Sequence, residues 1–343
     1  DSDGVVRREF AGGYAVDTMR DALGRPSRHT GSDGTNVRHI YDALGRETRI
    51  ETWAAAGATA AAVIDRTFDT YDCLIALSNG AIEHTFAHDD VQRTRTETVD
   101  LGAFTASTGY RFDSLGRKVG FIGPDGVETT FTYAADGRLS GATHALAGAT
   151  SFAHPSPYDT VVTYPNGVAV ATNSGAHYRT ERIHATRGAV SLVDLRYGWT
   201  AHRLTSVLEA VTSRSTGYSY DDSDQIVLAD YPILPDASYT YDKAGNRVAT
   251  SETPGAWTVD AANRLTMAGA GTSLAYDVRG NVTEWVTPGG TQRFEWNLLG
   301  QLVRVRDGLD QDIATYAYDA RGHLARRTAG GTTRYYLYSD EGL

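Results

Sequence analysis

A single cysteine, Cys73, stands among 343 residues, so no disulfide can close within the chain. That does not exclude export, because many exported bacterial proteins carry no disulfide. Cys73 follows Tyr71-Asp72 at a turn, with no basic or histidine-rich surroundings. It reads as a small structural residue rather than a catalytic thiol. No apolar run approaches the roughly 20 residues of a membrane-spanning helix, and no signal-peptide pattern opens the chain. Positive charge is in deficit: 32 Lys+Arg against 42 Asp+Glu give a formal net charge of −10. There is no basic stripe, which argues against a nucleic-acid partner. Gly-x-Ser-x-Gly elbows, P-loops, dinucleotide fingerprints and zinc signatures are all missing. Nothing therefore points to catalysis or to a cofactor.

What the chain has in quantity is glycine and tyrosine, 36 and 20 residues. Tyrosine and threonine suit strands, and glycine suits frequent tight turns. The stretch Ser238 to Arg247, SYTYDKAGNR, shows how they combine. Tyr239 and Tyr241 alternate with small polar residues, as in a half-buried strand. Asp242 ends the strand, and its carboxylate is suited to accept backbone N–H bonds from the turn. Gly245 supplies the positive φ of the reversal, and Asn246 tolerates it. Arg247 to Thr250 then runs back as a strand, which makes the unit a hairpin.

The unit recurs. Tyr41-Asp42-Ala43-Leu44-Gly45-Arg46, Phe112-Asp113-Ser114-Leu115-Gly116-Arg117, Tyr276-Asp277-Val278-Arg279-Gly280-Asn281 and Tyr318-Asp319-Ala320-Arg321-Gly322-His323 are clear copies. Looser ones lie at Arg20 to Arg25, Val259 to Arg264 and Trp296 to Gln301. In the last third the copies start about every 20 residues, a spacing that marks repeat architectures. This motif resembles that of the YD-repeat family, also called Rhs (rearrangement hotspot) repeats, to which teneurins and the shell subunits of bacterial toxin complexes belong. The resemblance is densest from Tyr218 onward and weakest from Gly141 to Leu195.

Read in order, the chain is a meander of hairpins. Asp3-Gly4 opens it as a turn, and Gly12-Gly13 breaks the first strand. The alanine-rich Ala54 to Ala62 is expected to be a loop at the rim of the sheet. Gly123-Pro124-Asp125-Gly126 and Asp136-Gly137-Arg138 are further turns, and Asn166-Gly167 reads as a two-residue turn. Between about 141 and 196 the motif fades while strand spacing persists; from 197 to 343 it is regular. The expectation is one repeat array over 1–343. His84 and His88, followed by Asp89 and Asp90, are the best metal-like grouping. On a strand, four residues span about 13 Å, too far for one ion, so no metal site is expected. The other histidines read as scattered strand or surface positions.

The fold expected is all-β: a long, curved antiparallel sheet of stacked hairpins. A lone hairpin is unstable in water, and stacking buries one face and pairs its edges. Both ends should expose strand edges, which more chain or another chain would cover. The resemblance implies that the sheet is part of a spiralling hollow β-shell. It implies a wall that encapsulates a C-terminal toxin or effector polypeptide, secreted or at the cell surface, working with a secretion or toxin-delivery apparatus. The alternative implied by teneurins is an adhesive or glycan-binding surface. Packed aromatics would favour the wall and an exposed aromatic patch the surface. The chain opens at Asp1 and stops where the family's junction segment would follow, so it is expected to be a fragment or processed product of a larger shell.

Overall fold

A computed structural model describes residues 5–10, 12–54, 59–175 and 177–339. The Asp3-Gly4 turn, the centre of the alanine-rich segment (55–58) and the last four residues lie outside them. The described residues form strands joined by turns, with no helix. A 23-stranded antiparallel sheet runs from Val5–Glu9 to Arg247–Thr250, and a nine-stranded sheet from Trp257–Val259 to Thr332–Tyr335. Consecutive strands pair with each other, so the order along each sheet follows the sequence. Among the described residues Val5–Glu9 is registered to one neighbour only, and so is Thr332–Tyr335.

The turns explain the pairing. At the Tyr41–Arg46 copy, Asp42 N donates to Arg46 O at 2.9 Å and Gly45 N to Asp42 O at 3.0 Å. The register then shifts between Ile40, opposite Arg49, and Tyr41, opposite Glu47, which leaves Thr48 unmatched in the returning strand. This is a type I turn followed by a glycine bulge, which bends the strand and adds right-handed twist. The same bond pair and the same register shift recur at Asp242, Asp277 and Asp319. The motif glycines have φ from 75° at Gly300 to 88° at Gly45 and Gly280. Tyr164 to Val168 closes in the same way, with Gly167 at φ 78°. The two-residue turn expected at Asn166-Gly167 is thus a longer one: a two-residue turn of that kind needs positive φ at both centres, and Asn166 is not among the positive-φ residues.

The chain divides into two compact units. One comprises Asp1–His88, Arg95–Thr108 and Ala256–Leu343; the other comprises Asp89–Thr94 and Gly109–Gly255. The second unit includes the strands of the region where the motif fades. Its buried residues include Tyr110, which packs on Phe121 with ring centroids 5.5 Å apart, and Asp194, held between Arg182 and Arg196. In the first unit, the opening strands of the long sheet pack against the nine-stranded sheet. Ile82, Val99 and Leu101 meet Ala325, Tyr335 and Leu337 in one apolar cluster; Leu77 and Phe86 meet Ala320 in another.

Gly245 and Gly280 hold φ of 85° and 88°, where a β-branched side chain is strained. Replacing either with Val is expected to cost about 1 kcal/mol or more. Denaturation curves of the two variants check this; curves matching the parent would remove the glycine from the turn's account.

Candidate functional site

The motif residues act as one connected assembly. Asp42 Oδ1 accepts the N–H of Leu44 at 2.9 Å and of Arg46 at 3.0 Å, while Oδ2 takes Arg46 Nε at 2.7 Å. Asp113 does the same for Leu115 and Arg117. Asp242 and Asp277 cap their turns alike, with the side-chain amides of Asn246 and Asn281 at 2.9 Å replacing the guanidinium. Backbone and side-chain donors of Arg117 hold the Asp113 carboxyl below the usual carboxylate range. The side chain and backbone of Asn246 do so for Asp242.

The aromatic residue reaches back to the preceding turn. Tyr41 Oη donates to Pro26 O at 2.9 Å, Tyr241 to Ile226 O at 2.8 Å, Tyr276 to Leu265 O at 2.7 Å and Tyr318 to Leu302 O at 2.9 Å. Each acceptor is the first residue after the previous copy of the motif turn, one hairpin back along the chain. Where Trp296 replaces Tyr, its indole N–H donates to Val282 O. The previous turn's arginine covers the same ring: Arg25 lies 4.2 Å from the Tyr41 centroid, Arg117 4.7 Å from Tyr133 and Arg264 4.9 Å from Tyr276. Aspartate fixes arginine, arginine covers the next ring, and that ring's hydroxyl returns to the backbone. Phe112 keeps the ring position without a hydroxyl.

One copy escaped the sequence reading. Phe68-Asp69-Thr70-Tyr71-Asp72-Cys73 has Asp69 Oδ1 accepting Tyr71 N and Cys73 N at 2.8 and 2.9 Å. Asp72 stands in the glycine place at φ 72°. Cys73 takes the arginine place, half-buried. The capping Asp followed by an aspartate that tolerates left-handed backbone was the available signal.

Two turns of the nine-stranded sheet do more than cap themselves, and these make the candidate site. In most copies the second residue after the Asp is a solvent-facing side chain: Leu23, Leu44 and Leu115 are each about three-quarters exposed. In the Asp277 and Asp319 turns it is arginine. Arg279 Nε binds Asp33 Oδ2 at 2.6 Å, and another of its nitrogens donates to Thr35 Oγ1. Its remaining nitrogen reaches Leu298 O at 2.8 Å. Arg321 Nη1 lies 2.9 Å from Glu97 Oε1, and its guanidinium stacks over Phe86 at 5.2 Å. Asn79 Nδ2 donates to Tyr318 O at 2.8 Å beside it.

His84, Glu97 and Asp319 are buried at 4%, 1% and 6% exposure. His84 Nδ1 is 2.8 Å from Glu97 Oε1, and Nε2 is 3.3 Å from Asp319 Oδ2, within ion-pair range but not aligned as a hydrogen bond. Asp319 Oδ2 is free to face His84 because His323 replaces the motif arginine and sits 3.5 Å away. Burial opposes charge on all three groups, and their mutual contacts outweigh it. Asp319 and Glu97 hold the imidazole above its ordinary value; His84, with Arg321, holds Glu97 low; His84 and the His323 N–H hold Asp319 low. The sequence groups His84 with His88 and Asp89-Asp90, not with these partners. Its partners lie 13 and 235 residues away, beyond any local pattern. His88 is exposed and turned to Leu74 O at 3.4 Å, away from this cluster. Among the described residues no group of three His, Cys, Asp or Glu is arranged to hold a metal.

Residues 191–342 match the family model described as Teneurin YD-shell. The fold is that of structures from the Photorhabdus luminescens Tc holotoxin pore (TM-score 0.74, 17% identity, 92% of this chain, 19% of that chain) and of TcdB2-TccC3-TEV (TM-score 0.75, 16% identity, 96% of this chain, 21% of that chain). Two curated relatives are the tRNA3(Ser)-specific nuclease WapA of Bacillus spizizenii and the tRNA nuclease WapA of Bacillus subtilis, each 31% identical over 131 residues. That match covers 36% of this chain and 5% of either relative. The chain therefore spans a small part of these curated relatives and of these toxin structures, and it resembles the YD-repeat shells.

Removing the Tyr276 hydroxyl (Tyr276→Phe) is expected to cost about 1 kcal/mol, one hydrogen bond. The same change at exposed Tyr71 is expected to stay within about 0.5 kcal/mol. Arg321→Gln leaves the Glu97 carboxylate buried with less compensation, and a loss of about 3 kcal/mol is expected. Denaturation of the three variants side by side reads all three values; equal effects at Tyr276 and Tyr71 would contradict the stitching.

Proposed function

We propose that this chain is a segment of the wall of a YD-repeat shell that encloses a C-terminal toxin or effector polypeptide before delivery. The observation that carries the reading is the inward use of the aromatics. The motif tyrosines are half-buried, covered by an arginine or bonded to the neighbouring strand, and so build the wall instead of presenting a surface. The likeness in fold to Tc toxin structures supports it. On this reading the chain is a structural, non-catalytic part of an exported protein, secreted or at the cell surface. The remainder of the shell or adjoining chains cover its sheet edges, and a delivery apparatus acts on the whole. The motif residues, from Tyr41, Asp42, Gly45 and Arg46 to Tyr318, Asp319 and Gly322, form one repeat array along the chain. No step of the nuclease chemistry named for the curated relatives is assigned to it.

A second reading, an adhesive or glycan-binding surface, has one observation in its favour. Tyr158 and Tyr178 are exposed at 38% and 76%, with ring centroids 5.0 Å apart. They make a pair rather than a patch, which leaves the wall reading ahead.

Mass measurement under native and then denaturing conditions, on protein from its natural source, tests the proposal. A native particle heavier than the 37.0 kDa of this chain that releases a second polypeptide is expected. A chain that runs alone at that mass, without a companion, would overturn encapsulation.

A further inference from the structure

We propose that His84, Glu97, Asp319 and Arg321 form a proton-operated latch that seats the Tyr318–His323 turn on the first sheet of its unit. His84 comes from the strand Glu83–Asp89 and Glu97 from Thr94–Asp100; Asp319 and Arg321 come from the turn between Asp312–Tyr318 and Leu324–Ala329. The three groups in closest contact are nearly inaccessible to water.

The geometry favours a doubly protonated ring. Both imidazole nitrogens face a carboxylate oxygen, Glu97 at 2.8 Å and Asp319 at 3.3 Å. A neutral imidazole has one N–H and one lone pair. Without its second proton it would leave an unprotonated nitrogen 3.3 Å from the Asp319 carboxylate. In closest contact, two carboxylates meet one guanidinium and the imidazole. Three other charged or titratable groups face the contact. Arg321 already binds Glu97 at 2.9 Å, Arg95 stacks 5.4 Å from the Phe86 ring, and half-exposed His323 lies 3.5 Å from Asp319. Loss of the His84 proton thus removes a positive charge from between two buried carboxylates.

The pH window follows from the directions. His84 is raised above 6.5, so its contribution is complete below that value and is lost as pH rises through the folded value. Glu97 and Asp319 are lowered from 4.5 and 3.8, so theirs are present above those values and are lost as pH falls through the folded ones. The latch holds best in mildly acidic medium and loosens toward alkaline pH. Its role in release rests on the encapsulation reading: a wall seated in an acidic compartment loosens at this turn on leaving it. The latch itself stands on the first unit's geometry alone.

Hydrogen exchange on the whole chain tests it, with rates corrected for the intrinsic effect of pH and compared at about pH 5.5 and about pH 8.5. Protection at Leu324–Ala329 and Glu83–Asp89 is expected to fall several-fold at the higher pH, while Val168–Ser174 in the other unit is unchanged. In His84→Gln, protection at the first two strands is expected to be low at both pH values. Equal protection across pH in the parent, an equal fall in all three strands, or the same fall persisting in the variant would overturn the latch. If the variant does not fold, the parent comparison and an NMR titration of the His84 ring decide: a ring titrating at or below 6.5 rules the latch out. Absence of a second polypeptide in the mass measurement would remove the release role and leave these outcomes untouched.

Discussion

The motif hairpins of this chain depend on one carboxylate at the end of their first strand. The motif aspartate does two jobs with two oxygens. Oδ1 gathers the turn's N–H groups, which fixes where the strand stops and returns. Oδ2 holds the arginine or asparagine that follows the glycine. Because that arginine is pinned, it covers the next aromatic ring, and the ring's hydroxyl closes back on the strand just left. A local cap thereby becomes a contact between successive repeats. This is how a sheet with few fully buried side chains keeps one register: the spacing is set at the rim by polar contacts, not by a thick apolar core.

Where the nine-stranded sheet meets the opening strands, the division of labour differs. Apolar clusters around Ile82, Leu101 and Ala325, and around Leu77, Phe86 and Ala320, remove area from water without preferring one alignment. The arginines at the second place after the aspartate supply the alignment. Arg279 finds Asp33 and Thr35, and Arg321 finds Glu97. A buried ion pair contributes little net stability, since desolvation offsets the attraction, yet a misaligned one is costly. These pairs therefore act on register more than on stability. The exposed leucines at the same place in other turns show that the motif itself does not demand arginine there.

The hairpins were legible because their chemistry is local: an aspartate, a glycine three residues on and an aromatic before them specify a turn within six residues. The hairpin around Asp242 falls where the pattern puts it. The copy at Phe68 to Cys73 was hidden because aspartate replaces glycine, and Asn166-Gly167 was misjudged because the bulge adds residues the dipeptide does not show. The contact between the sheets was not legible. His84 drew attention only beside His88, its neighbour in sequence, and its partner Asp319 looked fully accounted for as a turn cap. The one clue in the sequence was a long cation, Arg279 or Arg321, where sister turns carry leucine.

The account stands or falls on whether the motif couples one repeat to the next. The most direct measurement is a double-mutant cycle on Arg264 and Tyr276, which belong to successive copies and lie 4.9 Å apart, guanidinium to ring centroid. Chemical denaturation of Arg264→Ala, Tyr276→Ala and the double variant gives the coupling directly. A favourable coupling of about 0.5–1 kcal/mol is predicted. Strictly additive effects would mean that each turn caps only itself, and that the sheet's register is set by something other than this stitch.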